Sequence, residues 1–141
     1  MFITEEDYLV VIGEAALKVV SQTSADIRAT AEAEAMEEIS GYLRPTYDTA
    51  RIFAAQAADR NRLLVMYTAD IALYHMTASQ PQKMGSEVRR ERYERAIKWL
   101  EGVQAGRIVP DLPLLADAGG DDTTASGTLI YHSQPPLRHN W

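Results

Sequence analysis

Residues 61–78 carry Leu63, Leu64, Val65, Met66, Tyr67, Ile71, Leu73, Tyr74 and Met76 around nearly the whole circumference of a helix. A helix that is apolar on every side must be enclosed by other elements, so this stretch predicts a central helix around which the rest of the chain packs. Two other segments have the complementary one-sided pattern. In residues 25–43, Ile27, Ala31, Ala35, Met36, Ile39, Tyr42 and Leu43 recur at helical intervals, while Asp26, Glu32, Glu34, Glu37 and Glu38 fall mostly outside that stripe. In residues 87–105, Val88, Tyr93, Ala96, Ile97, Leu100 and Val103 share a face. The charges around them alternate in sign, with Glu91/Arg95 and Glu94/Lys98 in the favourable i, i+4 order of a solvated surface. The expected fold is all-α, a small bundle of about four to five helices.

Punctuation along the chain supports that division. Thr4 and Asp7 have the spacing of a capping box and open a short helix that stops near Gly13. Residues 15–20 read either as a second short helix or as a strand-like run. Ser24, Asp59 and Ser86 stand where N-caps are needed, Pro45 ends the long acidic helix, and Gly106 occupies the position of a C′ glycine. Gly41 marks close packing or early fraying of the helix that contains it. Residues 46–58 have weak periodicity and read as a contact loop with one helical turn, exposing Tyr47, Ile52 and Phe53. After Gly106 order is expected to fall, giving a helical body over 1–113, a Gly/Asp/Thr/Ser linker over 114–127, and an extended tail over 128–141.

Composition removes several functional classes. A length of 141 residues suits one domain. A net charge of −6 opposes general attraction to phosphate backbones. There is no cysteine for a disulfide, a thiolate nucleophile or a zinc site. The acidic first residues are unlike a basic signal-peptide start, and no run approaches the ~18 apolar residues of a membrane span.

The search for chemistry is equally restrictive. His75 sits in the apolar helix with no His or carboxylate four residues away, and reads as a packing residue. His132 and His139 lack ligand partners at fixed spacing. Asp70 interrupts the apolar helix, and an unpaired buried carboxylate is costly, so it is expected to form an interhelical ion pair with Arg92 or Arg95. The basic run Arg89, Arg90, Arg92, Arg95 and Lys98 is interleaved with Glu87, Glu91, Glu94 and Glu101 and leaves little net field. No catalytic, cofactor-binding or metal site is expected.

The tail, by contrast, regains apolar character after a polar linker. Leu129, Ile130, Tyr131, Leu137 and Trp141 suit docking onto a partner, the first three as an added β-strand; Tyr47, Ile52 and Phe53 form a second contact set. The competing reading is a tail that packs back on its own body.

Several runs in fixed order carry a resemblance: residues 2–4 (FIT), 38–48 (EISGYLRPTYD), 59–61 (DRN), 66–75 (MYTADIALYH), 92–100 (RYERAIKWL) and the closing 133–141 (SQPPLRHNW). In that order the chain resembles the small head-tail connector, or head-completion, proteins of tailed bacteriophages and prophages, including the Mu-like type. The resemblance implies a structural adaptor made in the bacterial host cytoplasm. It would form a ring, commonly twelve-fold, beneath the portal protein of the filled capsid and present a surface to a tail or neck protein. DNA would pass through its channel without specific binding, with no cofactor and no membrane. Two other classes remain open, a DNA-packaging or nucleic-acid-binding module using the Arg-rich helix, and a small all-helical enzyme built on Asp70, His75 and an Arg.

Overall fold

A computed structural model describes residues 1–21, 24–78 and 86–115. Among the described residues six α-helices occur in order, α1 (Glu5–Val11), α2 (Glu14–Val20), α3 (Ala25–Leu43), α4 (Thr49–Ala54), α5 (Arg62–Ala78) and α6 (Ser86–Gln104), with one 3-10 turn at Ala57–Asp59. Among the described residues there is no strand, only an isolated antiparallel bridge between Tyr47 and Leu114. The protein is an all-α small helical bundle, and residues 15–20, open between two readings in the sequence, belong to a helix.

α5 is the axis of the bundle and contacts α1, α2, α3 and α6. Its Leu64, Ile71 and Leu73 have no exposed surface, as the all-round apolar pattern requires. The fully buried Ala35, Ala69 and Ala72 keep side-chain bulk low between α3 and α5, which favours close approach of helices. α5 and α6 run antiparallel, since Tyr67 meets Trp99 and Tyr74 stacks on Tyr93, with ring centroids 5.2 Å and 4.0 Å apart.

Local chemistry fixes the ends. At α1, Thr4 N–H donates to Asp7 Oδ2 at 2.7 Å while Asp7 N–H returns to Thr4 Oγ1, completing the capping box. Ser24 caps α3, and Asp48 caps α4 by accepting from Arg51 N–H at 3.0 Å. α5 is capped by Asn61, whose Oδ1 accepts from Leu64 N–H at 3.0 Å. Asp59, the residue expected there, is the last of the 3-10 turn. Gly106 takes φ +73° and closes α6, with Arg107 and Ile108 N–H both donating to Gly102 C=O. The close glycine contact lies at Gly102, where an added Cβ would stand 2.6 Å from Ile108 Cδ1; at Gly41 it would meet nothing within 4 Å, and the helix continues to Leu43.

Several sequence expectations are corrected. Residues 107–115 do not lose order, because Ile108 and Leu112 pack on the core and the backbone is bonded to the 46–48 segment. Leu114 and Leu115, assigned to the linker, take part in that pairing. Tyr47 and Ile52, expected as exposed contacts, are only 4% and 3% exposed: α4 and the bridge turn them into the core. Phe53 is half-buried, its ring edge-on to Phe2 at 4.9 Å. Glu32 is buried rather than on the acidic face. On α6, Val88 is 58% exposed while Arg89 points inward, and the i, i+4 ion pair observed there is Arg90–Glu94.

Candidate functional site

Three polar clusters lie between the helices. The first is built on Asp70, which α5 places at 2% exposure. Arg92 Nε donates to Asp70 Oδ1 at 2.7 Å, and Arg89 Nη1 stands 3.9 Å from the same oxygen. Arg95, the other candidate partner, forms no ion pair with Asp70 and supplies only a more distant charge. Burial raises the Asp70 carboxyl above its ordinary value, opposed by Arg92 and then Arg89; burial likewise lowers the Arg89 guanidinium. Arg89 Nη2 donates to Val11 C=O at 3.3 Å, tying α6 to the end of α1. Its Nη1 has no hydrogen-bond partner among the described residues.

The second cluster joins three helices through Glu38 of α3. Its Oε2 lies 2.9 Å from His75 Nε2 on α5, and its Oε1 accepts from the Tyr93 hydroxyl on α6 at 2.6 Å. Burial first and Glu38 second push the Tyr93 hydroxyl well above the ordinary phenol range. The third cluster is more enclosed. Tyr8 of α1 donates to Glu32 Oε1 at 2.9 Å, with Arg28 Nε at 3.8 Å. Burial raises both the Glu32 carboxyl and the Tyr8 hydroxyl. Nearby, Arg60 anchors the N-terminal segment by donating to Phe2 C=O at 2.6 Å and pairing with Asp7.

These clusters tie α1, α3, α5 and α6 to one another through side-chain hydrogen bonds. His75 borders a cleft of about 310 Å³ with Asp26 and Glu34. Asp70 and His75, five residues apart on α5, have different partners, Arg92 and Arg89 for the one and Glu38 for the other. Among the described residues no three His, Cys, Asp or Glu side chains are grouped to hold a metal ion, and no helix is long and apolar enough to cross a membrane.

The remaining feature is backbone. Asp48 N–H donates to Pro113 C=O at 2.9 Å and Leu115 N–H to Thr46 C=O at 3.0 Å, laying residues 113–115 beside 46–48. Asn61 Nδ2 donates to Asp111 C=O, so one side chain caps α5 and fixes this segment. A cleft of about 520 Å³ opens beside it, bordered by Ile52, Ala55, Asp59, Leu112 and Pro113. Leu129, Ile130, Tyr131, Leu137 and Trp141, like His132 and His139, lie outside the described residues.

Residues 2–128 match the family model described as Bacteriophage Mu, Gp36. The chain belongs to this family. It is therefore a Mu-like phage protein, and the match includes residues 116–128, which lie outside the described residues. No curated protein and no solved structure matches it.

Sequence reasoning set Glu32 and Glu38 mostly outside the apolar stripe and Arg89 in a solvated basic run, and gave Tyr8 no polar role. Arg28, Glu32, Ala35, Ile39 and Leu43 share one stripe at i+4, i+3 spacing, as do Arg89, Arg92, Ala96, Leu100 and Val103. The phase of the helix marked those charged residues as inward; their partners reside on other helices and have no signature in local spacing.

Proposed function

We propose that this Mu-like phage protein is a structural head-tail connector, an adaptor without turnover that forms a ring under the portal and joins the DNA-filled capsid to the tail. The observation that carries the reading is membership of the Bacteriophage Mu, Gp36 family over residues 2–128, together with the ordered runs by which the chain resembles connector proteins. The structure is consistent with such a role. The six helices of the described residues are tied by interhelical polar contacts, which suits a subunit that bears load between two larger assemblies. A ring needs a heterologous, head-to-tail interface in which donor and acceptor surfaces differ. The apolar tail over 128–141 is a donor of that kind.

On this reading the partners are other copies of the chain, the portal protein, and a tail or neck protein. DNA crosses the channel without specific contacts, favoured by the net charge of −6. The decisive experiment is electron microscopy of particles from the parent phage carrying an early stop in this gene. Filled or leaking heads beside free, complete tails are expected. Uniformly empty proheads would move the role to DNA packaging, and intact infectious virions would overturn it.

A further inference from the structure

We propose that the open backbone edge at Leu112–Leu114 accepts the C-terminal segment of a second copy of this chain, which adds to it as a β-strand through residues 128–131. The inference rests on the ring reading above and supplies that ring's acceptor surface. In the antiparallel pairing, Pro113 C=O and Leu115 N–H face residues 46–48. Polar groups alternate along an extended chain, so the N–H and C=O of Leu114 and the C=O of Leu112 face the other way. None of these three groups has a hydrogen-bond partner among the described residues. Exposed edges are ordinarily blunted by charge or by proline on the open side. Here Pro113 lies in the inward register, so its missing N–H leaves the outer edge intact, and Leu114 presents a side chain that is 66% exposed.

The 520 Å³ cleft beside Leu112 and Pro113 is of mixed character: Ile52, Asp59, Asp111 and one cation, Arg51, also border it, so acids outnumber the base. The tail matches it in kind. Thr128, Leu129, Ile130 and Tyr131 are predominantly β-branched or aromatic, and residues 128–141 carry Arg138 and two His but no acid. The intervening residues 116–127 span at most about 40 Å when extended, enough to reach an adjacent subunit. Each copy then donates one segment and accepts one, the arrangement that closes a ring.

The chain has no cysteine, so introduced thiols report contacts without background. Full-length Leu114→Cys protein is mixed with full-length Leu129→Cys or Ile130→Cys protein and mildly oxidised, and disulfide-linked peptides are identified by mass spectrometry. The expected result is an interchain 114–129 or 114–130 link in large excess over a Val19→Cys control, whose position on α2 is exposed. Leu114→Pro, which removes the outward N–H and keeps both inward bonds, should weaken self-association at least tenfold with little change in melting temperature. Links no more abundant than the control would overturn the inference, as would links that close only within single chains of a double-cysteine variant. If stop-codon particles show separated heads and tails while Leu114→Pro phage assembles normally, the connector reading stands and this acceptor site fails. If interchain links form but the stop mutant yields intact virions, the acceptor site stands and the connector reading fails.

Discussion

Replacing Asp70 with Ala should destabilise the fold by about 3–5 kcal/mol, the range for leaving one side of a buried ion pair without its partner. Arg92 is 29% exposed and can recover some hydration, whereas Arg89 is 14% exposed and already has one nitrogen without a hydrogen bond. Losing the 2.7 Å charge-assisted bond from Arg92 forfeits about 1.5–3 kcal/mol, and stranding Arg89 against only Val11 C=O adds about 1–3 more. The released desolvation cost of Asp70 offsets part of this, which places the net effect near the lower end of the range. Asp70→Asn keeps an acceptor for Arg92 Nε and should lose roughly half as much. Urea unfolding followed by far-UV circular dichroism, with Trp99 fluorescence as a second probe, gives the free energies. An Asp70→Ala/Arg92→Ala cycle gives the coupling, expected at about 1.5–3 kcal/mol. The triple replacement Asp70→Leu/Arg89→Met/Arg92→Met should recover most of the loss, because an apolar interface carries no desolvation cost. A loss below about 1 kcal/mol for Asp70→Ala, or coupling below about 0.5 kcal/mol, would refute the claim that this cluster fastens α6 to α5.

Other consequences follow from the same contacts. Burial raises the Glu32 carboxyl in the folded state, so the fold binds that proton more tightly than the unfolded chain. The contribution is present below the unfolded value and is lost as pH rises through the folded one. Glu32→Gln still accepts from Tyr8 and should therefore raise the melting temperature relative to the parent at pH 7.5, with the gain shrinking toward pH 4; a variant less stable at neutral than at acid pH would contradict this. Gly41→Ala, in a helix with nothing within 4 Å of the new Cβ, should stabilise by about 1 kcal/mol. Gly106→Ala, forced into φ +73°, should destabilise by about 1 kcal/mol; both are read from denaturant midpoints. Deleting residues 128–141 should leave helicity and melting temperature nearly unchanged while abolishing assembly measured by sedimentation. A large fall in melting temperature would instead favour a tail packed on its own body.

What could be read in the chain beforehand depended on whether the signal was local. The apolar circumference of α5, the Thr4/Asp7 capping box and the Gly106 terminator are set by residues within one or two turns, and each occurs where its spacing places it. α6 shows where the approach fails. Its apolar face was assigned by residue type, which put Val88 inside, whereas helix phase running back through Val103, Leu100, Ala96 and Arg92 puts Arg89 inside. Phase prevailed because Asp70 on α5 creates a site where a cation is better than a valine. The same applies to Glu32, which lies on the α3 stripe and is stabilised by Tyr8 from α1. Tyr47 and Ile52 were misassigned for a related reason: residues 46–55 have too little periodicity to declare an inside, and theirs is created by the return of residues 113–115 from the far end of the chain. Polar residues on an otherwise apolar stripe are thus better read as half of an interhelical pair than as errors in the stripe. Applied to this chain, that rule identifies Asp70, Glu32, Arg89 and Arg92 as the fastenings of the bundle.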